Sequence, residues 1–154
     1  MINVQIEIPY GSNVKYEIED GKLCVDRILS TSMNYPGNYG YIPKTLADDG
    51  DPIDVLVINQ QPLFPTCYVE CKVLGMLVTE DEKGFDQKVI AIPKDSIDNA
   101  QSHINDIKDL NETILDMIRN FFSNYKANEA DKWVKVYEYE DSKTTLEFIE
   151  SKRV

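Results

Sequence analysis

The sequence predicts a mostly β, or α+β, fold: a small closed or nearly closed antiparallel barrel with helices packed outside. Three features point there. Short segments alternate apolar and polar residues, Gly and Pro interrupt them frequently, and helical periodicity is confined to the last third of the chain. At 154 residues the chain suits one domain, 1–154, with one core.

The elements follow in order. In 4–8, Val4, Ile6 and Ile8 share one strand face. In 14–18, Val14, Tyr16 and Ile18 face one way, and Lys15 and Glu17 the other. The segment 23–29 is a third strand, with Arg27 at an alternating position where an apolar residue would otherwise stand. That placement aims a charge inward. NYPGNYGYIP, residues 34–43, carries Tyr35, Tyr39 and Tyr41 among glycines; it reads as a donor-rich loop or as a tyrosine corner packing a barrel end. Segments 54–58, 68–78, 85–92 and 133–139 continue the strands. Leu110, Ile114, Met117, Ile118, Phe121, Phe122 and Tyr125 recur at helical steps, and Asp109 before Glu112 fits a capping box. A shorter helix after Asp141 carries Leu146, Phe148 and Ile149.

Charge narrows the partners. Against 16 Lys and Arg stand 27 Asp and Glu, a net −11, which opposes nucleic acid and anionic lipid. Neither partner is expected, and the apolar runs are far too short to span a bilayer. The start, MINVQIEIPYG, carries Glu7 and no basic leader, so it does not read as a secretory signal; a cytoplasmic location is expected by default. Cys24, Cys67 and Cys71 are odd in number and form no CxxC, which argues against a disulfide framework and a thiolate zinc site. They read as small apolar residues.

DDGDPIDVL, residues 48–56, crowds Asp48, Asp49, Asp51 and Asp54 together. A solvated acidic turn is the plain reading. A calcium loop of the EF-hand kind fails: counted from Asp49, the sixth residue is Asp54 and the twelfth Gln60. A magnesium site is the third reading, since dications offset the repulsion among hard oxygen ligands. The rest of the chain favours it. Asp81 and Asp86 flank a turn at Gly84, and Lys88 lies two residues beyond Asp86, on the same face of a probable strand. Tyr125 and Lys126 end the long helix, where a lysine also suits the helix dipole. Carboxylates for Mg2+, with Lys, Arg and Tyr for phosphate oxygens, are what phosphoryl transfer needs. His103, the only histidine, lies outside every motif, and a structural or subunit-contact role is expected for it.

These residues resemble the soluble family I inorganic pyrophosphatases. The resemblance rests on DGDPIDV at 49–55. It is joined in order by EIP at Glu7, KYE at 15–17, VDR at 25–27, YPGNYGYIP at 35–43, DxxxxDxK at 81–88, FFxxYK at 121–126 and KWVKV at 132–136. It covers almost the whole chain, which looks like a short prokaryotic member. It implies a five-stranded OB-like closed barrel with two helices of the C-terminal half packed outside. It also implies hydrolysis of inorganic pyrophosphate to two orthophosphates with several Mg2+ ions. By the resemblance, Asp49, Asp54 and Asp86 hold a first metal. Asp54 bridges to a second, and Asp81 with Asp86 takes metals arriving with substrate. Glu17 and Glu7 complete the metal shell through waters. Asp51 orients the attacking water or accepts its proton. Lys15, Arg27, Lys88 and Lys126 bind the anion, with Tyr39 and Tyr125 as neutral donors and Tyr35 hydrogen-bonded to carboxylates. A homo-oligomer, a hexamer, is implied as well. The rival from another class, an oligonucleotide-binding barrel, is opposed by the acidic charge.

Overall fold

The computed structural model describes residues 1–154. Its strands run β1 Ile2–Ile8, β2 Val14–Glu19, β3 Lys22–Ile28, β4 Asn38–Tyr41, β5 Asp54–Val57, β6 Tyr68–Asp81, β7 Gly84–Phe85, β8 Lys88–Pro93 and β9 Val134–Asp141. Helix α1 spans Glu112–Asn124 and α2 spans Ser142–Ser151. β1, β4, β5, β8 and β6 pair in that order, and β6 pairs back onto β1, so five strands form a closed ring. β6 is long enough to serve four neighbours: β1 near its start, β8 in the middle, and β9 and β7 at its far end. β2 and β3 form a separate hairpin beside the ring.

The closed five-stranded sheet with two helices is as expected, but it is not all antiparallel. β5 and β8 run parallel, in register from Asp54 opposite Lys88. Alternation reports which way a side chain points, not which way a strand runs, so the sequence alone could not show this.

The apolar residues make two clusters rather than the one core expected. Val4 and Ile6 of β1, Val55 and Val57 of β5, Val69, Cys71 and Val73 of β6, and Val89 and Ala91 of β8 meet with Ile42 and with Ile149 of α2. The intervening residues Leu56, Leu74, Leu77, Ile90 and Ile92 pack against Ile118, Phe121 and Phe122 of α1. β5 and β8 are therefore covered on both faces, which is why VLV and VIAIP read as continuous apolar runs. Met117 belongs to the same helical series but stays exposed.

Local corrections have local causes. Residues 38–41, expected as loop, form β4 between β1 and β5. Asn38 fixes its entry by donating to Asn59 and Gln61 and accepting from the Tyr10 and Leu63 amides. Gly40 lets β4 approach β1: a Cβ there would lie 2.0 Å from the Gln5 carbonyl oxygen. The expected strand 85–92 breaks at Asp86 and Gln87. The N-cap of α1 is Asn111, which accepts from the Thr113 amide; Asp109 instead closes a capping box with Asp106 one turn earlier. Asp141 caps α2 by accepting from the Thr144 amide. Cys71 is buried, Cys24 and Cys67 are half-buried, and all three are free. No helix is long and apolar enough to cross a membrane.

Candidate active site

Strand starts set the centre of the site. Asp54 opens β5 and Lys88 opens β8 directly opposite it, both on the parity that faces away from the ring's interior cluster. Tyr39 of β4 pairs with Leu56 and lies on the same side. The hairpin β2–β3, the acidic loop before β5, the β6–β7 turn and the end of α1 surround these groups. They enclose a cavity of about 430 Å3. Glu7, Lys15, Glu17, Arg27, Tyr35, Tyr39, Asp49, Asp51, Asp54, Asp81, Asp86, Lys88, Tyr125 and Lys126 all line it, so every site residue picked out from the sequence converges on one place.

Lys88 is the most enclosed cation. Its Nζ lies 2.9 Å from Asp54 Oδ2 and 2.8 Å from Asp86 Oδ2, and donates to the Tyr39 hydroxyl at 2.6 Å. Burial works against its charge, but the carboxylates of Asp54 and Asp86 outweigh it and hold Lys88 above its ordinary range. Lys126 Nζ lies 3.1 Å from Asp81 Oδ2. Burial pulls Asp81 up, but the Lys83 amide and the Lys126 ammonium outweigh it and hold the carboxyl below its usual range. Lys15 Nζ and Arg27 Nε both lie 3.0 Å from the same oxygen, Asp26 Oδ2, and Arg27 Nη1 pairs with Glu129.

Other carboxyls are pushed up. Burial raises Glu7 to about 7, with the charges of Asp54 and Glu17 adding and the Ile18 amide, which donates at 2.9 Å, opposing. Burial raises Asp49, and the charges of Asp86 and Asp51 add to it against the Asp51 amide. Asp86 rises through burial and the charge of Asp54, against Lys88. Burial also keeps the Tyr35 and Tyr39 phenols neutral far into alkali. Tyr35 was expected to hydrogen-bond to a carboxylate. Its hydroxyl is instead buried without a partner, and its ring packs between Tyr39 and Phe121 at centroid distances of 5.3 and 4.7 Å. The pull of aromatic packing on the ring wins over the search for a polar partner.

The donor set fits a hard dication. The acidic groups lining the cavity are all carboxylates, with no His or Cys among them. Burial first, and the charge of neighbouring carboxylates after it, raises Glu7, Asp49 and Asp86, and a cation bound among them would oppose both. As the side chains stand, no three acidic, His or Cys groups are drawn together tightly enough to hold an ion. Lys88 lies between Asp54 and Asp86 instead.

Further polar residues belong to this site. Asp26 and Lys132 lie inside quoted motifs, VDR and KWVKV, so a signal existed for them. Tyr41 lies in the tyrosine-rich segment. Glu82 and Lys83 also line the cavity, and Glu129, which does not, pairs with Arg27; for these three the sequence offers no pattern.

Comparison with known proteins places the chain. The family model described as inorganic pyrophosphatase matches residues 4–153. The inorganic pyrophosphatase of Nanoarchaeum equitans is 57% identical over 134 residues, covering 87% of this chain and 84% of that protein. That of Campylobacter jejuni is 46% identical over 151 residues, covering 97% and 88%. Among solved structures, the Thermus thermophilus inorganic pyrophosphatase superposes with a TM-score of 0.93 at 46% identity, covering 97% of this chain and 87% of its own. The Helicobacter pylori enzyme gives a TM-score of 0.95 at 43% identity, covering 97% and 89%. The matched span takes in the closed ring, the hairpin, both helices and every residue placed in the cavity. The chain belongs to the inorganic pyrophosphatase family.

Proposed function

We propose that residues 1–154 act as one domain that hydrolyses inorganic pyrophosphate to two orthophosphates, with Mg2+ as the dication. The observation that carries this reading is the convergence of carboxylates and phosphate-binding cations on one cavity in a chain of this family. Asp49, Asp54 and Asp86 would hold the first magnesium, Asp54 would share a second, and Asp81 with Asp86 would take those arriving with substrate. Glu17 and Glu7 would support the shell through waters. Bound magnesium supplies Lewis acidity and neutralises phosphate charge.

The chain's own groups do the rest. Lys15, Arg27, Lys88 and Lys126 bind phosphate oxygens, and Tyr39 and Tyr125 donate as neutral phenols. Arg27 can clamp two oxygens at once, which a lysine cannot. An ammonium has three donors, and those of Lys88 already meet Asp54, Asp86 and Tyr39, so it takes a phosphate oxygen only by releasing one of them. Asp51 orients the attacking water and accepts its proton. The water oxygen bonds to one phosphorus, the bridging P–O bond breaks, and the second orthophosphate leaves with that electron pair. A homohexamer completes the reading and rests on the family resemblance alone, with a cytoplasmic location as the default expectation.

Phosphorus NMR of pyrophosphate incubated with the protein near pH 8 tests it. Orthophosphate is the sole expected product with Mg2+, and excess chelator stops its formation. Unchanged pyrophosphate across a range of Mg2+ concentrations would end the proposal.

A further inference from the structure

Arg27 carries five N–H donors, and the structure commits two positions of its fork to protein carboxylates. Nε donates to Asp26 at 3.0 Å and Nη1 donates to Glu129. Asp26 is the adjacent residue in the chain, but Glu129 is 102 positions away, in the turn between α1 and β9. Its side chain is only 15% exposed, and its second oxygen, Oε2, is buried with no hydrogen-bond partner. A glutamate in a surface turn ordinarily turns its carboxylate to water. Drying half of it is unfavourable, and here the guanidinium is what offsets that cost. The same turn makes a second contact just beyond the hairpin, through Asn128 Nδ2 donating to the Ser30 carbonyl at 2.5 Å. Lys126 and Lys132, on either side of Glu129, hold the turn to Asp81 and Glu82 at 3.1 and 3.6 Å.

Glu129 does not line the cavity, whereas Arg27 does. Pinned at Nε and Nη1, the planar guanidinium keeps both Nη2 donors available for phosphate oxygens. The two carboxylates sit on opposite sides of the fork, at Nε and at Nη1, and Nη2 between them has no protein partner. We infer that Glu129 is a positioning residue for the proposed hydrolysis: it fixes the Arg27 guanidinium in its substrate-binding orientation before pyrophosphate arrives. The inference rests on the pyrophosphatase reading above.

Steady-state hydrolysis at saturating Mg2+ tests it with Glu129→Ala, Glu129→Gln, Arg27→Ala and the two double variants. A long side chain that must be ordered on binding weakens binding, so Glu129→Ala raises KM about three- to tenfold with kcat little changed. Glu129→Gln keeps an acceptor for Nη1 and shows a smaller rise. In the Arg27→Ala background, removal of Glu129 changes kcat/KM by less than about twofold, because the group it positions is gone. The same factor in both backgrounds, a fall in kcat alone, or an unchanged or lowered KM would each overturn the inference; a lowered KM would show that Glu129 competes with substrate for Arg27. If Glu129→Ala does not fold, Glu129→Gln in both backgrounds carries the same comparison. Absence of hydrolysis by the unmodified protein would overturn the activity reading and this inference with it. Hydrolysis that ignores Glu129 would overturn the inference alone.

Discussion

Lys88 is buried between two carboxylates and a phenol, an arrangement that is stable only while every partner is present. Removal of one member of a buried charge set leaves the others uncompensated. Lys88→Met should therefore destabilise the metal-free protein by about 3 kcal/mol, seen as a lower Tm in chelator. Added Mg2+ should raise the Tm of the variant by more than that of the parent; an equal rise would show that Asp54 and Asp86 do not take the ion. Glu7 gives a pH-dependent test. Its folded-state value, about 7, lies above the ordinary 4.5, so its contribution to stability is fully present below 4.5 and is lost as pH rises through about 7. Glu7→Gln stays neutral and keeps an acceptor for the Ile18 amide. In chelator it should melt higher than the parent at pH 8, by about 1 kcal/mol after allowance for partial exposure, and like the parent below pH 4.5. A difference that does not change with pH would contradict the buried position of the carboxyl. At this scale the sequence was legible where spacing carries chemistry: Asp49, Asp51 and Asp54 in one loop, Asp86 and Lys88 two apart. Glu129 was not legible, because its partner lies 102 residues away and a lone glutamate in a polar turn has no pattern.

Elements place those residues, and their tolerances are tight where two backbones meet. A methyl on Gly40 would lie 2.0 Å from the Gln5 carbonyl oxygen, so β4 must move away from β1 or the variant must unfold. Gly40→Ala is expected to lose about 3 kcal/mol in a urea titration, and activity should fall with it because Tyr39 is the next residue. A stable, fully active variant would show that the strands are not so close. Helix α1 closes the outer cluster with Phe121 and Phe122, which contact Tyr125 at 5.1 and 5.7 Å between ring centroids. The long helix and most strands were readable from apolar period. β4 was not, because four residues inside a Pro- and Gly-rich run are too few to show alternation. The parallel pairing of β5 with β8 and the shift of the α1 cap to Asn111 were also hidden: direction has no period, and neighbouring polar residues compete for one cap.

Across the whole molecule, a net −11 opposes a free polyanion, and a dication reconciles the two. Calcium should bind the carboxylates, since it tolerates looser oxygen shells than magnesium, but should inhibit rather than support turnover because that looseness spoils alignment of the water. Calcium-driven turnover equal to that with magnesium would contradict this. Asp54 pairs with Lys88 at 2.9 Å and is also the proposed shared metal ligand. The most direct measurement is the rate of phosphate release from pyrophosphate as Mg2+ is titrated, with the parent protein and Asp54→Asn side by side. A metal-loaded carboxylate pocket requires release that saturates with Mg2+, vanishes in chelator and falls at least about a hundredfold in the variant. Release that persists without a dication, or an Asp54→Asn protein with near-parental turnover, would show that the phosphoanhydride is not cut by that pocket.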